Sequence, residues 1–214
     1  MSAQGKRVVV VGAGVGGLAA AARLARQGFD VQVFEKTHGP GGRCNQLQVD
    51  GFTWDVGPTI VLMPEVFEET FRALGRRIED YLTLVRCDPN YRVHFRDGSD
   101  VTFTSELCTM GRELERVEPG SFQRYLAFMA QGREQYRISL DHFVGRNFNG
   151  VSDYFSPGVL AKIFKARAHR RMYADVSRYF QDDRLRAAMT FQTMYLGVSP
   201  FESPAVYGLL PFTE

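Results

Sequence analysis

The sequence predicts an α/β chain with a second, α+β domain, and three observations carry that prediction. A β-branched run, a glycine-rich bend and an alanine-rich stretch follow one another without interruption between residues 7 and 27. Two-residue alternation of apolar and polar side chains takes over around 91–103. From Ser105 to Leu196 the chain then reads as mostly helical and rich in aromatics. Its 214 residues leave room for one domain or two small ones.

Residues 7–11 (RVVVV) form the kind of run found in a strand buried on both faces. They pass directly into Gly12-Ala13-Gly14-Val15-Gly16-Gly17, a GxGxxG match. Residues 18–27 (LAAAARLARQ) are strong helix formers, and Gly28 stands where a left-handed C-terminal cap belongs. Residues 30–34 (DVQVF) read as a second strand, with Glu35 at its end. In such a Rossmann-like βαβ unit, Gly12 permits the tight turn and Gly14 lets a pyrophosphate approach the backbone. Gly17 allows close helix–strand packing, and the helix N-terminus supplies amide donors. Glu35 follows Gly17 by 35 − 17 = 18 residues, near the spacing of an acid that accepts from ribose hydroxyls. A carboxylate there disfavours a 2′-phosphate, so NADP is the poorer ligand; NAD and FAD both stay open. Lys6 and Arg7 ahead of the uncharged run 8–22 imitate a secretion signal. That run is shorter than the ~20 residues a bilayer requires, and its glycines weaken an apolar helix, so it is read as mature structure.

Composition narrows the rest. Lys and Arg number 26 against 24 Asp and Glu, a net charge of +2, which gives no general footprint for nucleic acid. A chain 44% hydrophobic and 23% charged builds a core and is no disordered tail. Cys44, Cys87 and Cys108 form no CxxC pair, which argues against a disulfide framework or structural zinc and for a reducing compartment. His38, His94, His142 and His169 are too widely spaced to share a metal on one helix turn, so no metal is expected.

The loop Glu35-Lys36-Thr37-His38-Gly39-Pro40-Gly41-Gly42-Arg43 is a second glycine-rich bend ending in a guanidinium. A nicotinamide dinucleotide does not need it. It serves FAD if it folds back over the first bend, where Gly41 and Gly42 allow close approach and Arg43 offers donors to phosphate oxygens. The competing reading is a surface loop with a solvated arginine.

At Gly51-Phe52-Thr53-Trp54-Asp55-Val56-Gly57-Pro58-Thr59 the pattern becomes specific. Together with VVVVGAGVGGLAAAARLA, EKTHGPGGR, GFTWDVGPTIVLMP, DPNYRVHFRDGS and FQTMYLGVSPFESPAVYGLL, it resembles the bacterial and fungal phytoene desaturases of carotenoid biosynthesis, within the flavin amine oxidase superfamily. The first two motifs specify only the superfamily; the others are more particular. The resemblance implies FAD as cofactor, with Gly12, Gly14 and Gly17 holding the pyrophosphate. Glu35 then binds the adenosine ribose with Lys36 beside it, and Gly42 and Arg43 brace the phosphates. Gly57, Pro58 and Thr59 pass beside the flavin. Asp55 has an equal reading as an ordinary turn residue. The implied activity is FAD-dependent removal of hydrogens from a lipid-soluble polyene. Two alternatives stand beside it: another enzyme of the superfamily, of amine or protoporphyrinogen oxidase type, and a non-catalytic dinucleotide-binding module.

Residues 64–74 (PEVFEETFRAL) read as a short helix with Phe67, Phe71 and Leu74 on one packing face. From Leu82 to Thr104 a two-residue period with a turn at Asp97-Gly98 predicts an antiparallel hairpin. The second domain is therefore placed from Arg76. The expected organisation is 1–75 for the dinucleotide domain, 76–196 for the substrate and membrane-associated domain, and 197–214 for the start of a return to the core. Residues 161–178 carry six Lys/Arg against Asp175, 6 − 1 = +5, and interleave Ile163, Phe164 and Met172. That fits a basic amphipathic helix on an anionic membrane, with a solvated charged face or an intramolecular phosphate-like contact as the equal alternative. The expected location is cytoplasmic and peripheral to a membrane. No side chain is assigned a catalytic role; Asp153 is the acid to test first as a proton handler, against a reading as a helix cap. Phytoene desaturases are more than twice as long, so the chain is expected to be a fragment or half-enzyme whose C-terminal counterpart completes the flavin pocket.

Overall fold

The computed structural model describes residues 5–58, 60–150, 153 and 155–214. The chain divides into two compact units at Val85 and Arg86, downstream of Arg76.

In the first unit β1 (Arg7–Val11) and β2 (Asp30–Phe34) pair in parallel, in register from Arg7 opposite Asp30 to Val11 opposite Phe34. α1 (Val15–Arg26) connects them and starts earlier than propensity suggests, because extended Gly14 caps it and Gly16 and Gly17 enter its first turn. Gly28 (φ +93°) closes the helix, its N–H reaching Ala25 O at 3.0 Å. The expectation that 7–11 is buried on both faces does not hold. Val8 and Val10 are partly covered, but Val9 is 54% and Val11 86% exposed. The reason is local: α1 lies over one face, and nothing among the described residues covers the other.

β3 (Asn45–Val49) and β4 (Phe52–Val56) form an antiparallel hairpin whose two-residue turn, Asp50 (φ +51°) and Gly51 (φ +81°), has both central residues left-handed. α2 (Pro64–Ala73) starts on proline and ends at Gly75 (φ +72°), whose N–H reaches Arg72 O at 2.9 Å.

In the second unit β5 (Tyr91–His94) and β6 (Asp100–Phe103) are the expected hairpin. Asp97 holds its turn by accepting from Ser99 N at 2.9 Å and Ser99 Oγ at 2.6 Å. The strand does not reach back to Leu82: Leu82, Leu84 and Val85 are exposed, and Pro89 has no N–H to offer a ladder. α3 (Leu107–Val117) and α4 (Ser121–Ser139) follow, and one π-helical turn (Leu140–Val144) ends α4. α5 (Pro157–Lys165), α6 (Met172–Val176), α7 (Asp183–Ala188) and α8 (Leu209–Thr213) complete the unit. Val101 and Phe103 of the hairpin meet Met110 and Leu114 of α3, Phe128 of α4 and Phe180 in one buried cluster.

Buried polar side chains tie these helices together. Glu118, at the end of α3, accepts from the backbone N–H groups of Gln181 (3.0 Å) and Asp182 (2.9 Å). The Nε2 of buried Gln135, on α4, donates to Ala166 O (3.0 Å) and Ala205 O (2.9 Å). Residues 197–214 pack within this unit. At Gly132 an added Cβ would sit 2.8 Å from Phe212 Cβ, so α8 crosses α4 at close range.

The basic stretch 161–178 is not one amphipathic helix. α5 stops at Lys165, Arg167 adopts φ +57°, and α6 begins only at Met172. Asp175 is 3% exposed and gathers Arg167 (3.1 Å), Arg170 (3.4 Å) and Arg178 (3.6 Å). Arg171 donates to Glu202 O, and Lys165 pairs with Glu134 at 2.7 Å. Most of the positive charge is thus spent on internal contacts, which corrects the reading of a continuous membrane-binding helix.

Replacing Asp175→Asn leaves three guanidiniums without their shared carboxylate. Because all three reach solvent in part, the expected loss is about 2 kcal/mol in urea unfolding. Asp183→Asn, at an exposed ion pair, should stay within about 0.5 kcal/mol.

Candidate functional site

Three glycine-bearing segments converge in the first unit. Gly12 (φ +100°) turns the chain out of β1, with its N–H on Phe34 O at 2.7 Å. Gly17 tucks beneath it: a Cβ there would lie 2.0 Å from Gly12 O, so only hydrogen fits. The loop after Glu35 folds back over this turn. Gly41 N–H donates to Ala13 O at 2.8 Å, Gly14 and Gly41 pair as an isolated parallel bridge, and a Cβ on Gly42 would reach Gly14 Cα at 3.0 Å. Gly57 (φ +149°) closes the stack from the β4 end, where a Cβ would fall 1.8 Å from Arg43 O.

Glu35 braces the same turn from the other side. Its Oε2 accepts from Ala13 N at 2.7 Å, and its Oε1 accepts from Thr37 N at 2.9 Å and lies 3.0 Å from Thr37 Oγ1. Thr37 Oγ1 is also 3.1 Å from Gly39 O, and its single proton serves one of these two acceptors at a time. The hydrogen bonds from the Thr37 backbone, then from Ala13, then from the Thr37 hydroxyl hold the Glu35 carboxyl down at about 2. Ala13 and Thr37 were not among the expected site residues. The available signal was a hydroxyl residue two positions beyond an acid at a strand end.

The N-terminus of α1 opens onto this turn with no acid in its first turn and no side-chain cap, leaving its amides free for an anion. Lys36 and Arg43 are exposed, and neither pairs with a carboxylate among the described residues. Gly57 and Pro58 are exposed beside a cleft of about 430 Å³ that also takes in Pro40, Cys44, Asn45 and Gln46. Asp55 lines it too, from within β4, where it accepts from Gln46 Nε2 at 2.9 Å; it is a strand residue, which corrects the turn reading. Thr59 lies outside the described residues. The structure therefore brings Gly12, Gly14, Gly17, Glu35, Gly42, Arg43 and Gly57 to one place.

Asp153 is exposed and accepts from Asn149 N (2.9 Å) and Gly150 N (3.2 Å), closing a turn behind it where a helix cap would bond ahead. Among the described residues no group of three or more His, Cys, Asp or Glu could hold a metal ion, and no helix is long and apolar enough to cross a membrane.

Residues 15–211 match the flavin containing amine oxidoreductase family. A zeta-carotene-forming phytoene desaturase of Myxococcus xanthus is 86% identical over 213 residues, covering 100% of this chain and 41% of that protein. A phytoene desaturase of Phycomyces blakesleeanus is 42% identical, covering 98% of this chain and 36% of its own length. A 4,4′-diapophytoene desaturase of Staphylococcus aureus is 36% identical, with 97% and 41% covered. The chain thus spans about two fifths of the relatives it matches. Among solved structures, a putrescine oxidase bound to putrescine superposes with a TM-score of 0.60 at 16% identity, over 96% of this chain and 41% of that one. An oxidoreductase from Methanosarcina mazei gives 0.50 at 20% identity, over 95% and 42%. Both show likeness of fold.

Gly17→Ala forces a methyl onto the Gly12 carbonyl and should cost about 1–3 kcal/mol in thermal unfolding. At Gly16 an added Cβ meets nothing within 4 Å, so Gly16→Ala should be neutral or stabilising by up to about 1 kcal/mol.

Glu35 has a folded value of about 2 against an ordinary 4.5, so its bonds stabilise the fold above the ordinary value and are lost as pH falls through the folded one. The stability gap between the wild type and Glu35→Gln should therefore be widest near neutrality. It should shrink as pH drops from 4.5 towards 2, read by chemical unfolding at each pH.

Proposed function

The chain belongs to the flavin containing amine oxidoreductase family, and from that premise we propose that it carries the adenosine-diphosphate end of FAD in an enzyme that desaturates a lipid-soluble polyene of the phytoene type. The observation that carries this reading is the second glycine loop lying across the first, with Gly41 bonded to Ala13 and Arg43 alongside. A nicotinamide dinucleotide needs only the first bend. The additional loop and its guanidinium suit a second set of phosphate contacts.

The residues present fit the cofactor. Gly12, Gly14 and Gly42 present bare backbone where a pyrophosphate must come close, and the α1 N-terminus faces it with free amides. Arg43 supplies forked donors and Lys36 a point charge. Glu35 keeps lone pairs for ribose hydroxyls while Ala13 and Thr37 fix its orientation. On this reading Gly57 and Pro58 would pass beside the flavin ring. When bound, FAD supplies a two-electron acceptor, which with loss of a proton from the adjacent carbon leaves a new double bond in the polyene. The chain's own part is to anchor and orient the cofactor.

The relatives' names support the substrate class. The uncovered face of β1, with Val9 and Val11 exposed, supports a further polypeptide segment packing there, because a parallel sheet is stable when covered on both faces. The proton acceptor is not assigned to any side chain of this chain.

The purified chain should take up FAD, followed by flavin fluorescence quenching, and prefer it to NAD. Arg43→Ala should weaken FAD about tenfold, the worth of one charge-assisted hydrogen bond. Thr37→Val should weaken FAD several-fold and Thr37→Ser restore it, while FMN, which lacks the adenosine half, responds to neither. A preference for NAD, or FAD and FMN affinities lost in parallel, overturns the assignment. Joined to the remaining length of its relatives, the chain should change the pigment profile of a phytoene-accumulating host.

A further inference from the structure

A second cleft, of about 290 Å³, lies in the unit Arg86–Glu214 and plays no part in the nucleotide site. It is walled by two elements. The end of α4 and its π-helical turn contribute Arg137, Ile138, Asp141 and His142, and α5 contributes Gly158, Ala161, Lys162 and Lys165. The α5 residues recur at i, i+3, i+4 and i+7, so one face of that helix lines the cleft.

The charges there are available in a way those around Asp175 are not. Lys162 and His142 have no acceptor partner among the described residues. Arg137 and Lys165 share Glu134, at 3.1 and 2.7 Å, but their side chains are 59% and 61% exposed. Pairs of that kind are worth little and re-form at small cost around a better anion. A phosphate would meet the forked donors of Arg137 and two ammonium groups within one concavity. Asp141 is the only acid on the lining, and it is exposed. Phe164, next to Lys165 on α5 and in ring contact with His169, and Val144, two residues past His142 at the end of the π-helical turn, present apolar surface to solvent. Exposed apolar side chains on the elements that wall a basic cleft are the arrangement of a protein seated at a lipid headgroup layer.

We propose that this cleft binds the phosphate of an anionic lipid headgroup, with Lys162 and Arg137 as its principal ligands and Phe164 and Val144 resting in the interface. The site extends the lipid-soluble substrate read above, but its test needs neither flavin nor substrate.

The full chain is sedimented with phosphatidylcholine vesicles, with and without phosphatidylglycerol. Binding should require phosphatidylglycerol and fall about fivefold in Lys162→Ala, the worth of one basic residue near such a surface. Gly158→Leu keeps every charge and adds apolar bulk to the lining at a position where a Cβ meets no atom within 4 Å; it should lose binding to a similar degree. Arg96→Ala, an exposed cation on the β5–β6 turn, should have little effect. Circular dichroism confirms that each variant is folded. Equal losses at Arg96 and Lys162, unchanged binding in Gly158→Leu, or indifference to phosphatidylglycerol would each overturn the proposal. So would inorganic phosphate titrating the cleft while vesicles do not bind, since the ligand would then be a free anion.

Discussion

The first unit depends on how one residue, Ala13, is held. The N–H of Ala13 is fixed by Glu35 and its carbonyl by Gly41 N–H, so the bend between β1 and α1 is clamped from both sides. Remove either clamp and the free amides at the start of α1 lose their common direction. The clamp also sets the glycines. With the second loop this close, Gly42 can carry no side chain towards Gly14, and Gly57 none towards Arg43. Crowding, more than turn geometry alone, is what requires hydrogen at those positions. Gly16 shows the contrast, since it stands in the same motif with open space around it.

This explains which parts of the site were legible in the sequence. β1, α1, β2 and the turn glycines follow from local rules; both strands occur where spacing places them, and α1 begins three residues earlier than propensity alone suggests, at Val15. The folding of the 36–44 loop over the first bend was legible only as a condition, because nothing in EKTHGPGGR fixes its direction. Thr37 had one faint signal, a hydroxyl two residues beyond an acid, and its part becomes clear only from the hydrogen bonds it makes to that carboxylate. The β3–β4 hairpin had a clear signal in Asp50-Gly51. Its second strand is obscured in the sequence because it coincides with the GFTWDVGPT motif.

Tertiary burial accounts for the larger error. Counting charges over 161–178 gives a strongly basic segment, yet one carboxylate gathers three of its arginines. The sequence shows a single acid in that stretch and does not show that it is buried, which is what makes it an organising centre. Glu118 and Gln135 work in the same way, each reaching from a helix to backbone groups far along the chain. None of these three has a sequence signature, because a buried polar residue is defined by what surrounds it. The second unit thus spends its polar side chains on joining short helices whose own hydrogen bonds are few.

Pairing therefore separates structural charge from functional charge better than composition does. Arg167, only partly exposed, is committed to Asp175 and Tyr179, and moving it would strip a buried carboxylate of its nearest partner. Arg43 and Lys162 differ in kind, because no acceptor among the described residues would be stranded if either turned towards a ligand. Lys162 lines the cleft between α4 and α5, and Arg43 is exposed on the loop that folds over the first glycine bend. A cation without a partner at the mouth of a cavity gives up only its hydration when an anion arrives. A cation already bonded to a buried acid would have to give up that acid as well. This is the physical ground on which anion binding is proposed at these two places, while the arginines gathered around Asp175 serve to hold the fold.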